Sequence, residues 1–424
     1  MSENKKLVPK RRFKEFQNTD AWEQLELGEV AENFEYGLNA AAIDYDGINK
    51  YLRITDIDDS SREFDKSSLT SPKINLDKAG NYLLKEGDLL FARTGASVGK
   101  TYQYRESDGK IYYAGFLIRA RILSNFDSIF IFQNTLTKRY KNFVSITSQR
   151  SGQPGINAQE YASFEFFAPK IKEQEKIGEF FATLDQTIAF QQRKLEKMKS
   201  MKSAYLSEMF PAEGERKPKR RFPGFTDDWE PRELGKTNTF FTDGNYGESY
   251  PKESDMSDSI SGVPFLRGSD FKDGYLDSSE ANFITKEKHS KLTSGHIQTD
   301  DIVLAVRGSL GTLGYATEAN QGWNINSQLA IIRTDKQELL GSFLVQFLLS
   351  GKGQNELLSR NTGSALKQLP IKQLKDIPVP ITSIEEQLKI GQFFTNLDQT
   401  IAFQQQKLEK LQNIKKAYLN EMFI

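Results

Sequence analysis

Two stretches of this chain carry apolar residues in alternating steps of four and three. The first runs through Ile177, Phe181, Leu184, Ile188, Leu195, Met198, Tyr205 and Met209, with Gln191 and Lys202 filling the two gaps. The second runs through Ile390, Phe394, Leu397, Ile401, Leu408, Leu411, Tyr418 and Met422, with Gln404 and Lys415 in the matching gaps. This rhythm predicts a long helix with a narrow heptad seam, and such a seam must be buried against something. The two stretches are also copies of each other. Residues 171–210 and 384–423 align at an offset of 213, with 28 of 40 positions identical, so the chain contains an internal duplication. The natural partner of each seam is the other copy, the alternative being two amphipathic helices that each pack on their own domain. Matched polar residues at seam positions favour the first reading, because they set register in a coiled coil. Ser383 with Glu386 makes a capping box at the start of the second helix, and Pro211 closes the first. Gly178 and Gly391 sit at one equivalent place at a cost of about 1 kcal/mol each, through drift or through close helix approach.

Elsewhere the pattern changes to short apolar runs bounded by Gly, Asp and Asn, which predict strands. Asp88–Ala92, Phe116–Ile118 and Asp301–Ala305 are the clearest, and helical stretches are expected near Ile129–Asn142 and Leu339–Arg360. These regions repeat only at landmarks. PKRRF at Pro9–Phe13 returns at Pro218–Phe222, each followed by a Trp (Trp22, Trp229) and a Leu-Gly pair. Tyr51-Leu52-Arg53 with Asp56 is echoed by Phe265-Leu266-Arg267 with Asp270, and GDLLFARTGASVG at 87–99 by DDIVLAVRGSLG at 300–311. Two near-identical segments therefore alternate with two divergent ones, giving two α+β globular domains joined by a helical rod.

Polar loops follow the strands at equivalent places. Arg93, Thr94 and Ser97 match Arg307 and Ser309, with Lys100 close behind the first loop. Gln149–Gln153, with Arg150, Ser151 and Gln153 and with Asn157 beyond, matches Arg360–Ser364, with Lys367 and Gln368 beyond. Side chains of these types read base edges or hold phosphates, and the paired placement is the signal here.

Composition narrows the classes. Lys and Arg balance Asp and Glu at 57 each, so the chain as a whole gives no electrostatic footprint for nucleic acid. Positive charge collects in one helix and linker: Phe190–Arg221 holds ten basic against four acidic residues. The two divergent segments are mildly acidic, so strong indiscriminate DNA binding is not expected. Cys is absent, no apolar run is long enough for a membrane span, and the N-terminus Met1–Lys6 leads into charge instead of a signal core, which favours the cytoplasm. Gly95–Thr101 nearly spells a phosphate-binding loop but has three residues between its glycines where four are needed, and the other half lacks the motif. His289 and His296, seven apart, fit no metal-binding spacing. No catalytic or metal-ligating residue is assigned.

With these residues in view, the chain resembles the specificity (S) subunits of Type I restriction-modification enzymes, the HsdS family. The twice-occurring EQ-x-KIG-x-FF…LDQTIAFQQ-x-KLEK segment and the GDLLFARTG strand and loop carry the resemblance over nearly the whole length. It implies two target recognition domains, residues 1–168 and 213–379 (the latter with its linker), and two conserved helical regions, residues 169–212 and 380–424. The helices are then an antiparallel coiled coil with Phe180, Phe181, Leu184, Ile188, Leu195 and Tyr205 facing Phe393, Phe394, Leu397, Ile401, Leu408 and Tyr418. The resemblance also implies a non-catalytic subunit that binds a bipartite double-stranded DNA site. It recruits two modification (methyltransferase) subunits and the restriction (translocase and nuclease) subunits. The chain itself needs no cofactor, and S-adenosylmethionine, ATP and Mg belong to the partners. Phe180 and Phe393, beside the seam, are candidate docking contacts for the modification subunits. The remaining readings are a protein-binding scaffold with two arms and a nucleotide hydrolase acting at Gly95–Thr101. A helix of about 39 residues is roughly 58 Å long, which makes the helical pair a candidate ruler between half-sites.

Overall fold

The computed structural model describes residues 7–150, 152–363 and 367–424, so residues 1–6, Ser151 and residues 364–366, among them the predicted loop residue Ser364, lie outside the described residues. The chain divides into two compact units. One comprises the residues up to Arg193 together with Gln405–Ile424, and the other is Lys194–Gln404. The division passes through both long helices, Ile171–Glu208 and Ile384–Met422, so each unit owns one part of each.

The first unit is built on four antiparallel strands, β1 (Ala31–Tyr36), β2 (Asp88–Ala92), β3 (Thr101–Gln103) and β4 (Leu117–Ile122), in the order β1-β4-β2-β3. The run Asp88–Ala92 is buried throughout because both faces of its sheet are covered. Side chains alternate across a strand, and they separate accordingly. Leu89 and Phe91 join a core with Phe130, Ile177 and Phe181, whereas Leu90 and Ala92 join a second core with Leu52, Tyr102 and Tyr113. The second unit repeats the plan with β5 (Phe240–Asp243), β6 (Ile302–Ala305), β7 (Leu313–Tyr315) and β8 (Leu329–Arg333) in the order β5-β8-β6-β7. Ile302 and Leu304 face a core holding Phe343 and Phe394, and Val303 and Ala305 face one holding Leu266 and Ile325. This sheet continues past β7 into Tyr275–Leu276 and Phe271–Lys272, strands without a counterpart in the first unit's sheet among the described residues.

Each predicted helical stretch is two helices. Ser128–Asn134 is followed by Lys138–Thr147, and Gly341–Leu349 by Gly351–Ser359. The breaks lie at Thr137 and Ser350, whose hydroxyls accept the Tyr140 and Gly353 backbone N–H groups and so start a new helix. Phe116, expected at the head of a strand, lies just outside β4 and is 60% exposed.

The predicted antiparallel pairing of the long helices is present in each unit. In the first, the Phe180 ring packs edge-on against Tyr418 (5.0 Å between centroids) and Asp185 pairs with Lys415 at 2.6 Å, so numbers rise on one helix as they fall on the other. In the second, Tyr205 packs against Phe393 (5.1 Å) and Lys202 pairs with Asp398 at 2.6 Å. The polar seam lysines are therefore satisfied by aspartates one position off the opposite seam. Each aspartate is also held by its own globular part: Gln133 Nε2 donates to Asp185 at 2.9 Å, and the Tyr275 hydroxyl to Asp398 at 3.3 Å. Burial raises the Asp398 pKa against the opposing pull of Lys202, and burial beside Asp398 pushes Tyr275 up to about 12.

The repeated PKRRF segments strap these helix pairs. Arg12 makes a two-pronged ion pair with Glu173, with both N···O distances 2.6 Å, and Arg221 does the same with Glu386 at 2.7 and 2.8 Å. The preceding arginines reach the other helix: Arg11 pairs with Glu421 and lies over Tyr418, and Arg220 pairs with Glu208 and lies over Tyr205. Phe13 then packs on Phe180, and Phe222 on Phe393. The capping box at Ser383 is consequently only half formed. Ser383 Oγ accepts the Glu386 N–H at 3.3 Å, but the Glu386 carboxylate is taken by Arg221, Trp229 Nε1 and Thr382. The equivalence stops at Trp22, whose Nε1 is buried without a hydrogen-bond partner.

The neighbouring glutamines tie helix to domain. Gln174 accepts the Asp127 N–H, and Gln387 accepts the Leu340 N–H, each at the start of a short helix. Gly178 and Gly391 admit those same helix starts. A Cβ on Gly178 would fall on the Asp127 carboxylate and 3.3 Å from Ile129 Cβ, and one on Gly391 would lie 2.7 Å from Ser342 Oγ. The close approach is thus to the globular domain.

Candidate nucleic-acid interface

One end of each of these two sheets gathers the predicted loops. In the first unit β1 ends at Tyr36, β2 gives way to Arg93 and β4 begins just after Phe116, so these three residues fall together at the sheet end. The Arg93 backbone is pinned on both sides, its N–H donating to Phe116 O at 3.0 Å and its carbonyl accepting the Ile156 N–H at 2.9 Å. The latter bond, the Thr94–Gly155 bridge and the Gly95 N–H to Pro154 O bond (3.0 Å) bring the second predicted loop alongside the first. Gln153 closes over Gly95, where a Cβ would lie 2.8 Å from its amide nitrogen and φ is +70°. The Arg93 guanidinium lies over the Tyr36 ring, 4.8 Å from its centroid, and the Tyr36 hydroxyl accepts the Ala158 N–H at 3.3 Å.

The second unit builds the same device from different sequence. β5 leads into Tyr246, β6 into Arg307, and the Arg307 guanidinium lies 5.2 Å from the Tyr246 ring centroid. Bridges Arg307–Gln368 and Thr362–Gln368 bring the second loop in. Tyr36 and Tyr246 are 42% and 44% exposed, so each cation–aromatic stack faces solvent. Burial raises the Tyr246 phenol above its ordinary value, opposed by its hydrogen bond from Arg307.

The other predicted residues divide. Thr94, Ser97 and Gln153 line the first cluster, and Ser309, Lys367 and Gln368 are exposed in the second. Lys100 is turned inward, its ammonium held by Ile57 O at 3.0 Å and by Asp59 at 2.7 Å, which removes it from the loop surface. Arg150 is spent on Glu160 and on the carbonyls of Thr147 and Gln149, and Arg360 on Glu356 and the Asp376 carbonyl, so both brace their own loops. Asn157 caps a short helix, accepting the Glu160 N–H at 2.9 Å. On the helices, Phe180 and Phe393 are half-buried, Phe180 packed between Phe13 and Tyr418 and Phe393 between Phe222 and Tyr205. The exposed pair is Phe190 and Phe403, at 58% and 68%, identical residues of the two copies.

Sequence reasoning missed Tyr36 and Tyr246. Their signal is a Tyr-Gly dipeptide ending the first strand region of each half, Tyr36-Gly37 and Tyr246-Gly247. Among the described residues no group of His, Asp and Glu is placed to hold a metal, and no helix is long and apolar enough to cross a membrane. His289 and His296 do meet, rings 4.9 Å apart, and share Asn324.

Two units of one plan, each with a pinned arginine stacked on an exposed tyrosine, define a duplicated recognition protein. The chain belongs to the Type I restriction modification DNA specificity domain family, whose model matches it twice, over residues 19–200 and 227–413. It is a specificity subunit with two target recognition domains. A Methanocaldococcus jannaschii protein assigned as the type I restriction enzyme MjaX specificity subunit is 24% identical over 94% of this chain and 92% of its own length. The Escherichia coli type I restriction enzyme EcoBI specificity subunit is 28% identical over 42% of this chain and 37% of its own. The fold is that of the S subunit of a Type I restriction-modification system from M. genitalium, at a TM-score of 0.63 and 16% identity over 98% of this chain and 99% of that one. A chain from a type I R-M system solved for its complex assembly and conformational transition gives a TM-score of 0.51 at 18% identity, covering 95% and 97%.

Proposed function

We propose that the chain is the non-catalytic, DNA-reading member of a cytoplasmic modification and restriction complex. Each unit contacts one half of a bipartite duplex target through the loop cluster at its sheet end. The observation that carries this reading is the arginine stacked on an exposed tyrosine at the same sheet end of both units, Arg93 on Tyr36 and Arg307 on Tyr246. Such a cation is held in place, and its edge is presented to a ligand with hydrogen-bond acceptors. Thr94, Ser97, Gln153, Ser309, Lys367 and Gln368 supply the surrounding polar contacts. Two methyltransferase subunits dock on the outer faces of the long helices, where Phe190 and Phe403 stand exposed at equivalent positions, and restriction subunits join them. S-adenosylmethionine, ATP and Mg are used in those partners.

The test is a methylome map of cells carrying the chain with its methyltransferase subunit. A bipartite methylated motif is expected, and replacing residues 225–365 by the matching region of a relative should change one half of it alone. A chimera that altered both halves, or a map without any sequence-specific methylation, would overturn the reading. Phe190→Ser with Phe403→Ser should abolish co-purification of the methyltransferase subunit while leaving the fold intact.

A further inference from the structure

The two equivalent arginines are not chemically equivalent. Most arginines of the chain are neutralised by a carboxylate: Arg12, Arg53, Arg119, Arg121, Arg221 and Arg333 are examples. Arg93 and Arg307 have no such partner among the described residues, so both carry uncompensated charge at the loop clusters. They differ in what their N–H groups do. Arg307 Nη1 donates to the Tyr246 hydroxyl at 2.8 Å and to Ser327 O at 2.7 Å, and its Nε donates to Gln368 Oε1 at 3.4 Å. That leaves only the hydrogens of Nη2. The Arg93 side chain makes no hydrogen bond within the described residues and is oriented by Tyr36 stacking and its pinned backbone alone, so all five N–H groups are open.

This difference decides what each can recognise. Arginine reads guanine in the major groove most specifically through two parallel N–H groups on two different nitrogens, one each for O6 and N7. Arg93 can present that fork. Arg307 can do so only by breaking bonds that hold it, and its single open nitrogen suits one phosphate oxygen, which carries no sequence information. Resting on the function proposed above, we infer that Arg93 reads a guanine in the half-site of the first unit, positioned by Tyr36, whereas Arg307 is a fixed contact to the DNA backbone in the second.

The experiment uses the full chain with its methyltransferase subunit. The first unit's half-site is the one that exchange of residues 225–365 leaves unchanged. Arg93→Lys keeps the charge but removes the fork. It should relax one G·C position of that half-site, lowering discrimination there roughly 5- to 150-fold in competition binding. Tyr36→Leu, which removes the stacking platform, should weaken discrimination at the same position. Arg307→Lys should leave both half-sites unchanged, and Arg307→Ala should lower affinity equally for all sequences and reduce the slope of log affinity against log salt by about one. Melting temperatures of the variants are compared with the parent to separate misfolding from lost reading. A parent map without a motif would overturn the proposed function itself. A parent motif with no G·C pair in the first half-site, or an Arg93→Lys variant that folds and keeps the parent motif, would overturn the inference alone, as would relaxation of a base position by Arg307→Lys.

Discussion

Replacing Glu386 by Gln should unfasten the second unit. The Glu386 carboxylate is fully buried and receives two N–H groups from Arg221, one from Trp229 at 3.0 Å and the Thr382 hydroxyl. Glutamine keeps the shape but removes the charge and turns an NH2 group towards the guanidinium. Arg221, with 13% of its side chain exposed, is left nearly buried with no counterion. Removing one partner of a buried pair costs about 3–5 kcal/mol. With a urea slope of about 2–3 kcal/mol per M for a unit of this size, the midpoint should fall by roughly 1–2 M. The chain has three tryptophans, so a background carrying Trp22→Phe and Trp323→Phe leaves Trp229, which touches the same carboxylate, as sole emitter. The control is Glu208→Gln, at the solvent-exposed Arg220–Glu208 pair of the same unit, where the cost should stay within about 1 kcal/mol. A Glu386→Gln midpoint within about 0.3 M of the parent would show that the strap does not hold the helix to its domain.

Gly178→Ala and Gly391→Ala should each destabilise by about 1–3 kcal/mol in thermal melts, despite the gain of about 1 kcal/mol in helix propensity, because Asp127 and Ser342 occupy the space of the new Cβ. Lys202→Met should cost roughly 3 kcal/mol near pH 8 by stranding Asp398, and less near pH 5. The Asp398 pKa is already raised by burial, and losing Lys202 raises it further. The folded variant therefore takes up a proton as pH falls, and the gap to the parent narrows; a gap that widened towards acid would refute this assignment.

The helices were the most legible part of the sequence because a seam repeats every heptad and is written twice. The strand at Asp88–Ala92 was legible for a similar reason, being a local apolar run, whereas its burial on both faces was not. What stayed hidden depends on contacts between distant residues. Arg12 meets Glu173 across 161 positions, and nothing local in PKRRF says which carboxylate it will find. Lys100 and Arg150 look like surface cations in sequence, and only the folded loops show the carboxylates of Asp59 and Glu160 beside them. Phe180 drew attention by its doubled Phe, yet Phe13 comes from far upstream to cover it, while Phe190, a single Phe in a polar run, stays open. Tyr36 and Tyr246 were obscured because the flanking residues differ, and a stacking platform needs only a ring at the strand end.

The passage of the unit boundary through both long helices sets an order of events during synthesis. Lys194–Gln404 is continuous and can close its core as soon as it leaves the ribosome. The first unit waits for residues 405–424, because Phe423 packs on Trp22, Phe130 and Phe181. At about 5–20 residues per second, the intervening stretch takes on the order of 10–40 s to make. For that interval the earlier-made domain carries an open aromatic socket. A ribosome that stalls or terminates within residues 194–404 releases a chain with the socket unfilled, exposed to chaperones and proteases. Messenger damage in the second half of the gene would therefore be felt first in the half already translated.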